Sequence, residues 1–434
     1  MQLSIPALPK HLCQWRSIRI WRGGFLLVWL CFIKSASAAY PLPDVVEQDS
    51  LKPSSPPAFE SLEPKPKPWG RLLIRPIQLK PPEESLKHLN FTETRYWSFG
   101  SLEWSEIYHF LREAGLTTGE LSELTHVDRR VKSTDGKINL LRTSNALLLG
   151  LAAESRRIIY DRLAQFPGNG DHALPFVLRD LKYDAQQDFN PKLLNALERL
   201  SFYRHGIRCL TDAIILPRFV EDQAELIRLK RYLVTNSALH VEVSRESGTE
   251  AQDFIDYWSA RGTKPAKHLL RILEESPELT GLDIAHFLPP IPQSILNRFP
   301  DDDLPPSINC FWTSLNFFSR NPDHRFLPVA RENGEATSVA MAALEKDYEL
   351  VSGDFAFGDV IALIGNKLTD DAQPELLHVV SYIADDIVMT KNGANDFTPI
   401  NLMTLGQVVS LYAWPAGVEL KGFRLKSLPA VESS

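Results

Sequence analysis

The chain has 434 residues, of which 44% are hydrophobic and 23% are charged, and its formal net charge is -7 at pH 7. This length allows two or three domains with substantial cores. Binding of nucleic acid depends on clustered lysine and arginine side chains that meet phosphates. Because the charge balance is acidic, we do not expect nucleic acid as a partner.

The N-terminus is expected to be an export signal. Basic residues precede the apolar stretch GFLLVWLCFI (24–33), and Ala36-Ser37-Ala38 has the small-x-small pattern of a cleavage site. About ten apolar residues are too few to span a bilayer, which takes about 20. We predict that residues 1–38 are removed and that the protein is secreted or periplasmic, without a transmembrane span. An uncleaved membrane anchor is the alternative.

Two further segments follow in the chain. Residues 39–83 are rich in proline, as in EPKPKPWG, and are predicted to form a semi-stiff linker. Residues 84–300 are predicted to form a mainly helical domain of unknown role. Its helical stretches include SLEWSEIYHFLREAG, the long run INLLRTSNALLLGLAAESRRIIYDRLAQF, and NPKLLNALERL with its Asn-Pro entry.

The pattern changes in residues 301–434. INCFWTSLNFFS predicts a helix, and short apolar runs such as GDVIALIG follow it. LHVVSYIA and IVMTKN, separated by Asp385 and Asp386, predict a β-hairpin because both arms are rich in β-branched residues. A cysteine-bearing helix packed on an antiparallel sheet places this part, and the chain as a whole, in the α+β class.

Signal cleavage would leave two cysteines, Cys209 and Cys310. A nucleophilic thiol needs a base beside it and hydrogen-bond donors for an oxyanion. Asn309 can cap a helix that begins at Cys310, and a position at a helix N-terminus lowers the pKa of a thiol. Cys310 is therefore the candidate nucleophile. Two alternatives remain: a disulfide between the two cysteines, which an exported protein permits, and a buried, inert thiol at Cys310.

His378 is the candidate base, because it lies in an apolar strand that the predicted hairpin pairs with IVMTKN. Side chains alternate along a strand, so Thr390 and Asn392 share one face. Either of them can orient the imidazole, as the third member of a catalytic triad does. Lys391 points to the other face and is expected in solvent.

The segments NCFWTSLNFF, FGDVIAL and HVVSYIADDIVMTKNG together resemble the catalytic core of the NlpC/P60 family of papain-like cysteine hydrolases, over roughly residues 300–415. The resemblance implies Cys310 as nucleophile, a Gly358-Asp359 turn into a strand, His378 as base, and Thr390 or Asn392 as the third residue. The chain departs from the family in two places. It has Asn309-Cys310-Phe311 where the family usually has Asp-Cys-Ser, and Thr390 where the family usually has a histidine.

The resemblance implies hydrolysis of amide bonds in a peptide, often in the stem peptides of peptidoglycan. Acyl transfer by the same two residues, or a non-catalytic envelope scaffold, are the alternatives. No HExxH, Walker or CxxC motif is present, so neither a metal nor another cofactor is expected. The sequence leaves the oligomeric state open.

Overall fold

The protein has an α+β fold in which the described strands pair antiparallel. The computed structural model describes residues 67–426 except for 88, 90, 92–95, 135, 167–168, 170–174, 180–188, 246–249, 260–265, 277–280, 302, 306, 328–332, 366–374 and 413–416. The expected signal and its cleavage site lie outside the described residues. The described residues belong to one compact unit, Pro64–Ser434.

Helices and strands alternate irregularly along the chain. The helices are α1 Glu83–Leu86, α2 Trp104–Glu113, α3 Thr118–Thr125, α4 Asn145–Gly150, α5 Ala153–Leu163, α6 Pro191–Leu200, α7 Gln223–Val234, α8 Ala251–Trp258, α9 Ala266–Glu275, α10 Pro290–Ile295, α11 Cys310–Leu315, α12 Asn333–Asp347 and α13 Leu405–Leu411. The strands are β1 Arg71–Leu79, β2 Tyr96–Ser98, β3 Arg130–Lys132, β4 Asn139–Arg142, β5 Phe176–Val177, β6 Phe202–Arg204, β7 Ile207–Leu210, β8 Asn236–Ser244, β9 Leu282–Asp283, β10 Tyr348–Val351, β11 Val360–Gly365, β12 Glu375–Ala384, β13 Ile387–Lys391, β14 Ile400–Thr404 and β15 Val418–Leu425.

The end of the proline-rich segment is a strand and not a linker. Residues 71–79, within the segment 39–83, form β1 and pair along their whole length with β8. Pro76 is compatible with this strand because β1 lies at the edge of the sheet β1-β8-β9. An edge strand has a neighbour on one side only, so a proline there can lack its N–H without the loss of a hydrogen bond between strands. The linker prediction is therefore wrong for residues 71–79.

The segment 84–300 contains the predicted helices, with short strands between them. Strands β2 to β9 lie in it, and most of them form two small sheets, β2-β4-β3 and β5-β7-β6. The long run predicted as one helix is divided into β4, α4 and α5. Ser144 explains the first division: its side chain accepts a hydrogen bond from the Leu147 N–H and so begins α4.

The sheet that carries the candidate residues has six strands in the order β10-β15-β11-β12-β13-β14. The predicted hairpin is confirmed, since β12 and β13 pair across Asp385 and Asp386. Asp385 takes the left-handed conformation that a tight turn requires, with φ of 56°. Helix α11 packs on β12 and β13, and all six of its side chains are buried.

The described residues form two large apolar cores, and the boundary between them along the chain lies near residue 235. The first core runs from Trp97 to Leu233. The second begins at Leu239 on β8 and includes α8, α11 and the six-stranded sheet up to Phe423. The domain boundary placed at residue 300 from the sequence therefore separates residues that share one core.

Candidate active site

Cys310 begins α11, as the sequence predicts. Asn309 has an extended backbone, and its side-chain oxygen accepts a hydrogen bond of 3.0 Å from the Trp312 N–H. This cap places Cys310 in the first helical turn, where backbone N–H groups have no intrahelical acceptor. Further along the same helix, the Ser314 hydroxyl donates to the backbone carbonyl of Val379, the residue after His378, at 3.4 Å. The packing of α11 on β12 therefore brings the helix that carries the candidate nucleophile next to the strand that carries the candidate base.

The two cysteines are not joined to each other. Cys209 and Cys310 are both free and both buried. Cys209 lies on β7 in the first core, and Cys310 lies in the second. The disulfide that the sequence left open is therefore absent, and Cys310 keeps its thiol for chemistry.

His378 is held by a short chain of hydrogen bonds. Its Nε2 lies 2.7 Å from Thr390 Oγ1, and the Thr390 hydroxyl donates to Asn392 Oδ1 at 3.3 Å. Because the hydroxyl proton is used on Asn392, the Thr390 oxygen accepts the proton of Nε2. This arrangement keeps Nδ1 unprotonated, which is the form of the ring that can accept a proton.

The two candidates for the third residue occupy successive positions in that chain. Thr390 makes the contact with His378, and Asn392 contacts Thr390. The reason is the length of the strand: β13 ends at Lys391, so Asn392 already lies in the following turn. Its amide nitrogen donates to Met403 Sδ on β14 at 3.3 Å.

Burial controls the protonation of the pair. Burial raises the pKa of the Cys310 thiol to about 11 and lowers the pKa of the His378 imidazole to about 3. At neutral pH both groups are therefore uncharged in this closed arrangement. Among the described contacts, no hydrogen bond joins the two side chains. This closed arrangement therefore does not favour a preformed thiolate–imidazolium pair.

Tyr412, which follows α13, covers the His378 ring. The two rings are stacked, with centroids 4.0 Å apart and an interplanar angle of 14°. Sequence reasoning missed this residue; the one signal was an aromatic side chain at the end of the apolar segment GQVVSLYAW.

Lys391 lies in the interior, and the prediction of a solvated strand residue is wrong. It is 0% exposed. Its ammonium group donates to Gly393 O at 3.0 Å, Asn395 O at 2.7 Å and Thr398 Oγ1 at 2.7 Å. Strand alternation did put Lys391 on the face opposite Thr390, but that face is also covered. Burial lowers the pKa of Lys391 to about 7.

Asp359 serves the turn before β11, as its place after Gly358 indicates. Its carboxylate accepts the Ala356 N–H at 2.8 Å and forms an ion pair of 2.7 Å with Arg424. In the part of the chain that the structure describes, no group of three or more histidine, cysteine or carboxylate side chains is placed to hold a metal ion. None of the described helices is long and apolar enough to cross a membrane.

Comparisons with protein-family models, with curated proteins and with solved structures found no match to this chain.

Proposed function

We propose that the protein is an exported thiol hydrolase that cleaves amide bonds, with a papain-like C-terminal part. One observation carries the proposal: His378 Nε2 lies 2.7 Å from Thr390 Oγ1, and the helix that begins at Cys310 packs on the strand of His378, with Ser314 Oγ 3.4 Å from Val379 O. A nucleophile at a helix start, a base on the neighbouring strand and a group that fixes the base are the parts that covalent catalysis by a thiol needs.

In the proposed reaction, His378 Nδ1 accepts the thiol proton as Cys310 Sγ attacks the amide carbonyl carbon. The backbone N–H of Cys310 is the nearest donor of the first helical turn for the oxyanion. The C–N bond then breaks, and the imidazolium returns its proton to the leaving amine. A water molecule, deprotonated by His378, attacks the thioester, which releases the carboxylic acid and restores the thiol. Thr390 positions the imidazole throughout.

The experiment is hydrolysis of peptidoglycan fragments by the purified protein, followed by measurement of new amino groups. We expect release by wild type and none by Cys310→Ala. His378→Ala should lose about 100-fold or more, the usual contribution of general-base catalysis. Cys209→Ala is the matched control, because Cys209 is also a buried free thiol and lies in the other core. Equal rates in wild type and Cys310→Ala would contradict the proposal.

The role of Thr390 in positioning His378 is tested by measuring kcat and KM separately. Thr390→Val removes the hydroxyl that fixes Nε2, so kcat should fall about fivefold to tenfold, the value of one hydrogen bond, with KM unchanged. Thr390→Ser keeps the hydroxyl and should restore kcat. If the valine and serine variants behave alike, Thr390 does not position the base.

A non-catalytic envelope scaffold is the second candidate. The burial of the two candidate catalytic side chains favours it. Cys310 is 7% exposed and His378 is 1% exposed, and burial moves both pKa values away from the charged pair. For a scaffold, wall fragments would bind equally to wild type and Cys310→Ala, with no amino groups released by either. Acyl transfer is distinguished in the same assay by a lasting thioester on Cys310 in the presence of a labelled acyl donor.

A further inference from the structure

A cavity of about 450 Å³ lies beside β8 and reaches Asn392, the last residue of the hydrogen-bonded chain that holds His378. Its walls come from the strands β5 and β7, from the stretch that joins α7 to β8, and from the turn between β13 and β14. Neither Cys310 nor His378 lines it. Its volume is within the range of small-molecule sites, about 300–1,000 Å³.

The walls of this cavity are uncharged. The polar side chains among the lining residues are amides and hydroxyls, and the others are apolar or proline: Pro76, Leu89, Pro175, Phe176, Val177, Ile207, Thr211, Leu233, Val234, Thr235, Asn236, Ser237, Ala238, Leu239, Asn392, Asn395, Phe397, Thr398, Asn401, Met403, Gln407 and Leu411. A charged ligand would lose its hydration here without gaining a partner of opposite charge. The cavity therefore selects an uncharged, largely apolar ligand.

Two of the lining residues keep a polar atom without a hydrogen-bond partner. Asn401 is 2% exposed; its amide nitrogen donates to Ser237 O at 3.2 Å, and its Oδ1 has no partner. Thr211 is 9% exposed, and its hydroxyl oxygen has no partner either. A buried polar group without a partner is destabilising. A ligand whose hydrogen-bond donor reaches one of these oxygens would satisfy it.

One wall of the cavity is held rigidly from behind. The ammonium group of Lys391 bonds to Asn395 O and Thr398 Oγ1, and the Asn236 side chain donates to Phe397 O at 3.0 Å. These contacts fix the turn between β13 and β14 before any ligand arrives. A preformed wall lowers the entropy lost on binding.

We propose that this cavity binds an uncharged, mostly apolar small molecule that carries a hydrogen-bond donor, such as an alkyl amide, with the donor directed at Asn401. The proposal goes beyond hydrolysis at Cys310 and does not depend on it. It describes a second site on the same protein, which adjoins the hydrogen-bonded chain of Asn392, Thr390 and His378 but is lined by neither Cys310 nor His378.

The test uses three probes with the same alkyl chain. Octanamide is neutral and has a donor, octanenitrile is neutral and has none, and octanoate is charged at neutral pH. The protein is labelled with ¹³C in the methionine methyl groups, of which the chain has 4. Met403 lines the cavity, whereas Met341 packs against the second core. Octanamide should shift the Met403 signal in a saturable way and leave the Met341 signal in place.

We expect octanamide to bind about tenfold more tightly than octanenitrile, the value of one hydrogen bond, and octanoate to bind most weakly. Asn401→Leu should remove the advantage of octanamide over octanenitrile. Asn139→Leu is the matched control: Asn139 also donates its amide to a backbone carbonyl and has a buried Oδ1 without a partner, but it does not line the cavity. This variant should bind the probes as wild type does.

A second variant keeps the proposal testable if Asn401→Leu fails to fold. Ala238 is a small side chain in the cavity wall, so Ala238→Phe should fill the space and abolish the Met403 shift with all three probes. Binding of octanoate as tight as that of octanamide would overturn the proposal. So would a Met403 signal that no probe moves, which is the result for a cavity that holds only water.

Discussion

At the scale of the residue, Lys391 has its amino group in the interior, surrounded by neutral oxygens. Burial lowers the pKa of Lys391 to about 7, whereas a lysine in the unfolded chain has a pKa of about 10.4. Between these two values the unfolded state binds more protons than the folded state. Stability therefore rises with pH through this window and is lost again as the pH falls towards 7.

Lys391→Met removes this titratable group, so the free energy of unfolding should depend less on pH. We expect the free energy of unfolding of wild type to increase from pH 7 to pH 10 more than that of Lys391→Met. Urea denaturation at several pH values measures both curves. The other titrating groups are the same in the two proteins, so the difference between the curves isolates Lys391. Parallel curves would show that the lysine is not buried in its neutral form.

The sequence predicted the contacts around His378 only in part. Strand alternation and a two-residue turn are local, and they bring Thr390 to the histidine. Tyr412 comes from a different element, α13, and its position depends on how that helix folds back on the sheet. No local sequence rule predicts how α13 folds back on the sheet. No such rule predicts that other residues bury Lys391 either. The contacts within the β12–β13 hairpin were therefore predictable from the sequence. The contacts between the hairpin and other elements were not.

At the scale of the element, the turn before β11 fixes where the central strand begins. Gly358 has φ of 79°, and its N–H donates to Tyr382 O at 2.8 Å. A Cβ atom at Gly358 would overlap the ring of Phe318, which follows α11. The glycine thus permits close contact between the turn and the end of the cysteine-bearing helix.

Gly358→Ala should therefore cost more than backbone strain alone. Left-handed backbone costs an alanine about 1–2 kcal/mol, and overlap with a packed ring adds about 1–3 kcal/mol. Gly353→Ala is the control, since Gly353 has φ of 102° but open space around it. Chemical denaturation compares the two losses of unfolding free energy. If Gly353→Ala loses as much as Gly358→Ala, the ring contact has no effect.

The elements missed from the sequence are those whose formation depends on a distant partner or an uncommon turn. β1 contains Pro76 and follows a proline-rich stretch, so composition favoured a linker; its partner β8 lies far along the chain. The β6–β7 hairpin turns at His205 and Gly206, both with positive φ, whereas Asn-Gly or Asp-Gly is the usual signal. By contrast, α6 begins with Asn190 and Pro191 and was predictable, because a helix cap is encoded within a few residues.

At the scale of the whole molecule, residues before 300 complete the core under the six-stranded sheet. Trp258 at the end of α8 packs against Phe357, with ring centroids 5.3 Å apart, and against Phe287 at 4.8 Å. The Tyr257 hydroxyl donates to Ile383 O on β12 at 2.6 Å. Segment 236–300 therefore belongs to the same folding unit as the candidate catalytic residues.

A fragment of residues 301–434 is consequently expected not to fold alone. It would lack Trp258, Phe254 and Phe287, each no more than 1% exposed. Burying one large apolar side chain contributes about 1.5–3 kcal/mol, and a domain has a net stability of only about 5–15 kcal/mol. Near-ultraviolet circular dichroism and thermal melting show whether this fragment folds. Residues 64–434 are the control. We expect a cooperative transition in the longer protein alone. A cooperative melt of residues 301–434 would mean that the C-terminal sheet is stable without α8, and that the boundary at 300 marks an independent domain after all.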